Sequence, residues 1–356
     1  MSNYEEKVQE IIQEPQHLET VNKWLVSNTY QCSDFSDLSE LYFHKKDETI
    51  SLVLPTLNEE QTIEFIVTKI LDTLNKEFKI IDEIIVIDGG STDNTVSIVE
   101  RLCRKYDILQ VINESEILPR LKHKKGKGNQ LWKGLYYSSS SIVLYCDTDI
   151  RNFDVHMIYG LIGPLLTKNV KFIKGYYERP LIIGENIRKS NEGGRVTELC
   201  ARPLLNLFYP ELAGFIQPLG GEYGGYRELL ENVEYTSGYG VEVNILIEIL
   251  QKYGLSTMGQ VDLLSREHRH QNTSALSKMS FIIMTTILRK NMNKNLHSDL
   301  LIKKFEKTTN KYEKNNIFGD SDVNDYFTLI QNVPDDTLPA IKTLIKQPVL
   351  TNNFII

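Results

Sequence analysis

Two runs of aliphatic and β-branched residues, ISLVLPT from Ile50 and EIIVID from Glu83, are each followed by a segment with apolar residues at the helical period. After the first run, Ile63, Ile66, Val67, Ile70, Leu71 and Leu74 share one helical face, with Asn58 and Gln61 at capping-box spacing ahead of it. After the second comes VSIVERLCRKY. Strand followed by helix, repeated, places successive strands side by side in a parallel sheet, because each helix packs back over the sheet that the chain has left. The chain therefore reads as α/β, a mostly parallel sheet flanked by helices, and SIVLYCDTDI from Ser141 supplies a further strand.

In such a sheet ligands collect at the carboxyl ends of the strands. Three of those ends carry PTLNEE, DGGSTD and CDTD. If the last strand continues through its carboxylates, alternation puts Asp147 and Asp149 on one face, where hard oxygen donors suit Mg²⁺ or Mn²⁺ bridging a diphosphate. A pair of solvated turn residues is the competing reading. Asp88 and Glu59 add carboxylates to the same edge, placed to meet a base or ribose hydroxyl.

The segment KHKKGKGNQLWKGL is a basic, glycine-containing loop leading into a helix, so its backbone amides and Lys127 can face a phosphate. In GGRVTELCARPLL, Gly193 and Gly194 free the backbone, Arg195 offers a guanidinium fork and Thr197 stands near a helix start, which together suit a second, separate phosphate. SREHRHQ clusters Arg266, Glu267, His268, Arg269 and His270, and an imidazole there is an acceptable third metal ligand. Neither GxGxxG after the first strand nor GxxxxGK[ST] occurs, which argues against a dinucleotide fold and a P-loop.

Composition limits the partners. With a formal net charge of -7 over 356 residues, the chain has no general pull toward nucleic acid or anionic membrane, so phosphate recognition must be local. Cys32, Cys103, Cys146 and Cys200 are widely spaced without CxxC and read as reduced thiols. The first residues lack a basic region followed by an apolar run, and no segment is apolar for long enough to span a bilayer, so a cytoplasmic protein is expected. Residues 1–45 read as a helical extension, residues 46–272 as one α/β domain with a loop-rich second half from Lys171 to about Arg269, and residues 273–356 as a helical tail suited to a homodimer contact.

The order of VLPTLNEEQTI, VIDGGSTDNT, GKGNQLWKGL and CDTDI resembles the nucleotide-sugar half of a GT-A type glycosyltransferase. GGRVTELCARPLL, PELAGFIQPLGGEYGGYRELL, GYGVEVNILIE and QVDLLSREHRH further resemble the glucosyl-3-phosphoglycerate synthase family. The similarity runs from about Ser51 to His270; the first 45 residues and the tail lie outside it. The resemblance implies a retaining, metal-dependent hexosyltransferase that moves glucose from a nucleotide diphosphate glucose, UDP-glucose ahead of GDP-glucose, to the 2-hydroxyl of D-3-phosphoglycerate. Its domain would divide into a nucleotide-sugar half, 46–150, and an acceptor half, 151–272.

Carried over by position, the resemblance implies that Pro55, Thr56, Leu57 and Glu59 hold the base and ribose, with Asp88, Gly89 and Ser91 nearby. Lys127 would lie by the diphosphate, Asp147, Thr148 and Asp149 would form the DxD, and Asp149 with His268 would be the direct metal ligands. Tyr239, Glu242 and Arg266 would face the donor sugar, with Asp149, Glu242 and Lys127 carrying the catalysis. Gly194, Arg195, Val196, Thr197 and His270 would receive the acceptor. The family pattern has Asn where His270 stands and Ser-Gly where Gly89-Gly90 stands. A mannosyl transferase using GDP-mannose shares this fold and stays open as the alternative. A sugar nucleotidyltransferase would need a glycine-rich basic loop after the first strand, which PTLNEE is not, and a catalytically idle nucleotide-sugar sensor would bind donor without turnover.

Overall fold

The strand ISLVLPT is buried at all seven positions, as a central strand covered on both faces by helices must be. A computed structural model describes residues 16–119, 121, 126–183, 187–189, 193–267, 272–292, 300–303, 327–330 and 336–345. Its main sheet has eight strands: β1 (Thr29–Gln31), β2 (Ile50–Thr56), β3 (Glu83–Asp88), β4 (Leu109–Asn113), β5 (Ile142–Tyr145), β6 (Phe172–Glu178), β7 (Tyr223–Tyr226) and β8 (Met258–Ser265). They lie in the order β1-β8-β6-β7-β5-β2-β3-β4. All pairs are parallel except those of β7, which runs antiparallel to both β5 and β6.

The main helices are α1 (Gln16–Asn28), α2 (Leu38–Lys45), α3 (Ile63–Leu74), α4 (Thr95–Cys103), α5 (Lys127–Tyr137), α6 (His156–Thr167), α7 (Arg202–Phe208), α8 (Val241–Tyr253) and α9 (Thr273–Met292). Alternation along β2 sends Leu52 and Leu54 into one core, shared with Ile66 and Ile70 of α3 and Leu161 of α6. Val53 enters the other, shared with Leu131 and Trp132 of α5 and Leu246 of α8. The buried face of α3 is the six-residue stripe read from the sequence.

One local expectation is corrected. α3 begins at Ile63 after Thr62, which makes no side-chain cap, so Asn58 and Gln61 do not form a capping box. Asn58 instead takes a left-handed backbone, φ 58°, which asparagine tolerates better than most residues. Its side-chain oxygen accepts from the Thr92 backbone N–H at 2.8 Å, and its own N–H donates to Ser91 Oγ at 2.9 Å. It thereby joins the loops that leave β2 and β3.

In the flanking segments, Gln16–Asn28, Leu38–Lys45 and Thr273–Met292 are helices, and among the described residues each segment also supplies strand. β1 pairs in parallel with β8, and α1 is held there by Trp24, whose indole N–H donates to the Met258 carbonyl at 2.8 Å while its ring stacks 4.7 Å from Phe215. On the other side Thr337–Leu338 pairs antiparallel with Tyr235–Thr236, and Trp132 Nε1 donates to the Pro339 carbonyl at 2.8 Å. A second strand pair joins Leu300–Lys303 to Phe327–Ile330. All four cysteines are free, and among the described residues no helix is long and apolar enough to cross a membrane.

Trp24 is 5% exposed, so Trp24→Ala is expected to cost about 3–5 kcal/mol, read as a lower urea midpoint. A loss below about 1 kcal/mol would mean that α1 is a loose appendage and not part of the core.

Candidate active site

β5 ends at Tyr145, so the DxD lies just past the strand and not within it. Thr148 turns inward, its hydroxyl donating to the Pro55 carbonyl at 3.0 Å while its own carbonyl accepts from Thr62 Oγ1 at 2.6 Å. With Thr148 pinned to β2 and the start of α3, Asp147 and Asp149 both reach a single guanidinium. Arg266 Nη2 lies 2.9 Å from Asp147 Oδ2 and 2.7 Å from Asp149 Oδ1.

Lys127 reaches Asp147 through that residue's other carboxylate oxygen. It opens α5, where a Cβ on Gly128 would collide with the Thr236 carbonyl, so only glycine lets this helix end press against the loop before α8. That contact sets Lys127 Nζ 2.6 Å from Asp147 Oδ1 and 2.7 Å from Glu242 Oε1, at the first turn of α8. The Asp147 carboxylate also occupies the space that a side chain at Gly221 would fill.

Two residues without a role in the sequence reading complete this centre. Glu222, 0% exposed, faces Arg266 Nη1 with Oε1 at 2.9 Å and Oε2 at 3.0 Å, and Tyr177 Oη lies 2.9 Å from the same nitrogen. Lys174 is buried over the Tyr223 ring and donates to the Gly220 carbonyl. The charged residue inside GGEYGG and the lysine inside the apolar run KFIKGYY were the available signals.

The electrostatics follow from these contacts. Burial opposes ionisation of Asp147, but Lys127 and Arg266 outweigh it and hold the carboxyl well below the usual range. Burial likewise opposes the charge on Lys127, and Asp147 and Glu242 outweigh it and raise its pKa. For Glu222 burial prevails and pushes the carboxyl up; for Lys174 it pushes the ammonium down to about 8.

A cavity of about 740 Å³ joins this centre to the loop at Gly193–Thr197. On its wall lie Pro55, Leu57, Glu59 and Gly89 from the β2 and β3 ends; Lys127, Asp147, Thr148 and Asp149; and Tyr239, Glu242 and Arg266. Gly194, Arg195, Val196 and Thr197 form the other end, together with Arg179, Lys278 and the apolar side chains of α9. Three expected donor residues lie off this wall. Thr56 is buried, its hydroxyl bonded to the Leu54 carbonyl, and Ser91 Oγ is engaged by Asn58. Asp88 accepts from the N–H groups of Gly90 and Ser91 and from Asn113 Nδ2, so it shapes the loop beneath the cavity. His268 and His270 lie outside the described residues.

The donor set fits a divalent cation. Asp147, Asp149, Glu222 and Glu242 outnumber Lys127, Lys174 and Arg266, leaving the centre net negative, and Asp149 is its most exposed carboxylate at 36%. Among the described residues no three acidic, histidine or cysteine side chains converge on one point. Magnesium-type sites commonly need only one or two carboxylates beside water and phosphate oxygens.

Comparison with known proteins points the same way. Residues 51–180 match the model of Glycosyl transferase family 2. The glucosyl-3-phosphoglycerate synthase of Petrotoga mobilis is 43% identical over 271 residues, 75% of this chain and 81% of that protein. The Mycobacterium tuberculosis glucosyl-3-phosphoglycerate synthase, solved with Mn²⁺, UDP-glucose and phosphoglyceric acid, superposes with a TM-score of 0.72 at 32% identity, covering 89% of this chain and 99% of that one. That enzyme has also been solved with Mg²⁺ and uridine diphosphate. The mannosyl-3-phosphoglycerate synthase of Rubrobacter xylanophilus superposes with a TM-score of 0.75 at 32% identity, covering 91% and 98%. By its identity and coverage with the Petrotoga protein, and by the site that its strand ends assemble, the chain belongs to the glucosyl-3-phosphoglycerate synthase family.

Proposed function

We propose that this chain transfers glucose from UDP-glucose to the 2-hydroxyl of D-3-phosphoglycerate, with retention at the anomeric carbon and with Mg²⁺ or Mn²⁺ bound. The observation that carries this reading is the single cavity, with a carboxylate and lysine centre at one end and the glycine–arginine loop at the other. Two half-sites open to each other are what direct transfer between two anionic substrates requires.

A divalent cation held through Asp149, with His268 as its expected second ligand, would supply positive charge where the departing diphosphate gains negative charge. Lys127 adds a protonated amine beside that point, since its pKa is raised and it stays charged through the neutral range. Its partners Asp147 and Glu242 hold the ammonium from both sides, so little reorganisation is needed as charge develops. Glu242, 4% exposed and on the cavity wall, is placed to orient a sugar hydroxyl. Arg195 and the backbone of Gly194–Thr197 receive the acceptor's anionic groups.

Retention is supported by the state of the carboxylates. Asp147, Glu222 and Glu242 are committed to ion pairs and Asp149 to Arg266 and the cation, which favours attack by the acceptor hydroxyl on the face that the diphosphate leaves. Transfer of mannose from GDP-mannose is the second reading, favoured by the likeness to the Rubrobacter enzyme.

Nucleotide diphosphate release is expected from UDP-glucose only with both Mg²⁺ and D-3-phosphoglycerate present, and the product's proton NMR coupling should show the donor's anomeric configuration. Faster release from GDP-mannose would instead establish the second reading. Asp149→Asn should lower turnover by about 10²-fold or more without changing thermal unfolding, and an unaltered metal-dependent rate would remove the DxD from the chemistry. Arg195→Ala should raise the acceptor KM about tenfold or more with a small change in kcat. An unchanged acceptor KM would place the anion site elsewhere.

A further inference from the structure

Glu222 is the most deeply buried carboxylate of the centre, and a buried charge is strongly unfavourable without a partner. Its position is built with care. The Glu222 carbonyl accepts from Gly175 N–H at 2.8 Å, and Lys174 ties down the carbonyl of Gly220 just before it. These bonds hold both carboxylate oxygens within 3.0 Å of Arg266 Nη1, on the far side of the guanidinium from Asp147 and Asp149.

The arrangement has an electrostatic consequence for the DxD. Asp147 already has Lys127 at 2.6 Å, so the guanidinium at 2.7 Å is the principal cation facing Asp149. An uncompensated guanidinium there would repel any divalent ion approaching the same carboxylate. With Glu222 behind it, the charge of Arg266 is offset and Asp149 keeps negative potential toward the cavity. Tyr177 Oη, 2.9 Å from Nη1, helps keep the guanidinium at the base of the site.

We propose that Glu222 is a positioning residue that sets the affinity of the Asp147–Asp149 pair for a divalent cation by anchoring Arg266 and offsetting its charge. This rests on the reading of that pair as a cation site. It assigns the acidic residue of GGEYGG a task distinct from binding either substrate.

The test is Mn²⁺ binding to the protein alone, followed by the electron paramagnetic resonance signal of free Mn²⁺, without donor or acceptor. Glu222→Gln should weaken Mn²⁺ about tenfold or more relative to the unmodified chain. The double variant Glu222→Gln with Arg266→Gln removes both charges and should return the affinity to within about threefold of the original. A role in folding alone would produce no such recovery. Should Glu222→Gln fail to fold, Arg266→Gln alone is decisive: it should bind Mn²⁺ at least as tightly as the unmodified chain, and weaker binding would overturn the proposal. Unchanged affinity in Glu222→Gln, or a double variant as weak as that single one, would also overturn it. If the unmodified chain bound no Mn²⁺, the cation site and this inference would both fall.

Discussion

Two cations, Lys127 and Arg266, bind four carboxylates at the carboxyl edge of the sheet, and the surrounding elements converge on that network. The end of β5 brings the aspartates, the start of α5 the lysine, the start of α8 Glu242, the residue before β7 Glu222 and the end of β8 Arg266. Burying this much charge is tolerable only because every member has an opposite charge within hydrogen-bonding distance. The antiparallel β7 is part of the solution: by reversing direction between β5 and β6 it delivers Glu222 at its start to the edge where its neighbours end.

Two members of the network, Asp147 and Lys127, hold their charge across the neutral range. The folded pKa of Asp147 is depressed, so its contribution to stability is present above the unfolded value of about 3.9 and is lost only as pH falls through the lower folded value. Lys127 is raised, so its contribution is full below about 10.4 and is lost only as pH climbs through the higher folded value. Lys174 has the opposite sign. With its pKa down at about 8, the unfolded chain binds more protons above that point, and the burial penalty is relieved as pH rises toward about 10. The Asp147–Lys127 pair is thus separated in pH from Lys174.

What could be read from the sequence follows from how local its cause is. β2 and β3 announce themselves because strands buried on both faces need continuous apolar residues. β7, YGGY, does not: Gly224 lies where a Cβ would come within 2.6 Å of the Val143 carbonyl, so packing removed the alternation that marks a strand. The DxD and Lys127 were legible because strand and helix ends have recognisable chemistry. Glu222 and Arg266 are 44 residues apart and Lys174 and Gly220 are 46 apart, so those pairings exist only once the sheet has formed. Asp88 has a long-range partner of the same kind in Asn113. Its position at a strand end suggested a ligand, and the structure shows its two oxygens accepting from the Gly90 and Ser91 amides.

The helix α9, which carried no chemical signature, lines the cavity. Leu276, Met279 and Ile283 lie on one face at helical spacing and, with Ile282, line the cavity together with Val196 and Leu219. The helix is fixed there by buried Ile283 and Ile287 and by Lys290, which lies 2.6 Å from Glu248 and 2.9 Å from Glu234. A largely apolar wall, with Lys278 beside it, does two things for a transfer reaction. It withholds water, the competing nucleophile, and it lowers the local dielectric, so that the charges of Arg195 and Lys127 are felt across the cavity more strongly than they would be in solvent. The apolar face of α9 and the ionic network at the sheet edge therefore serve one end: fixed charges work best where little water is left to screen them.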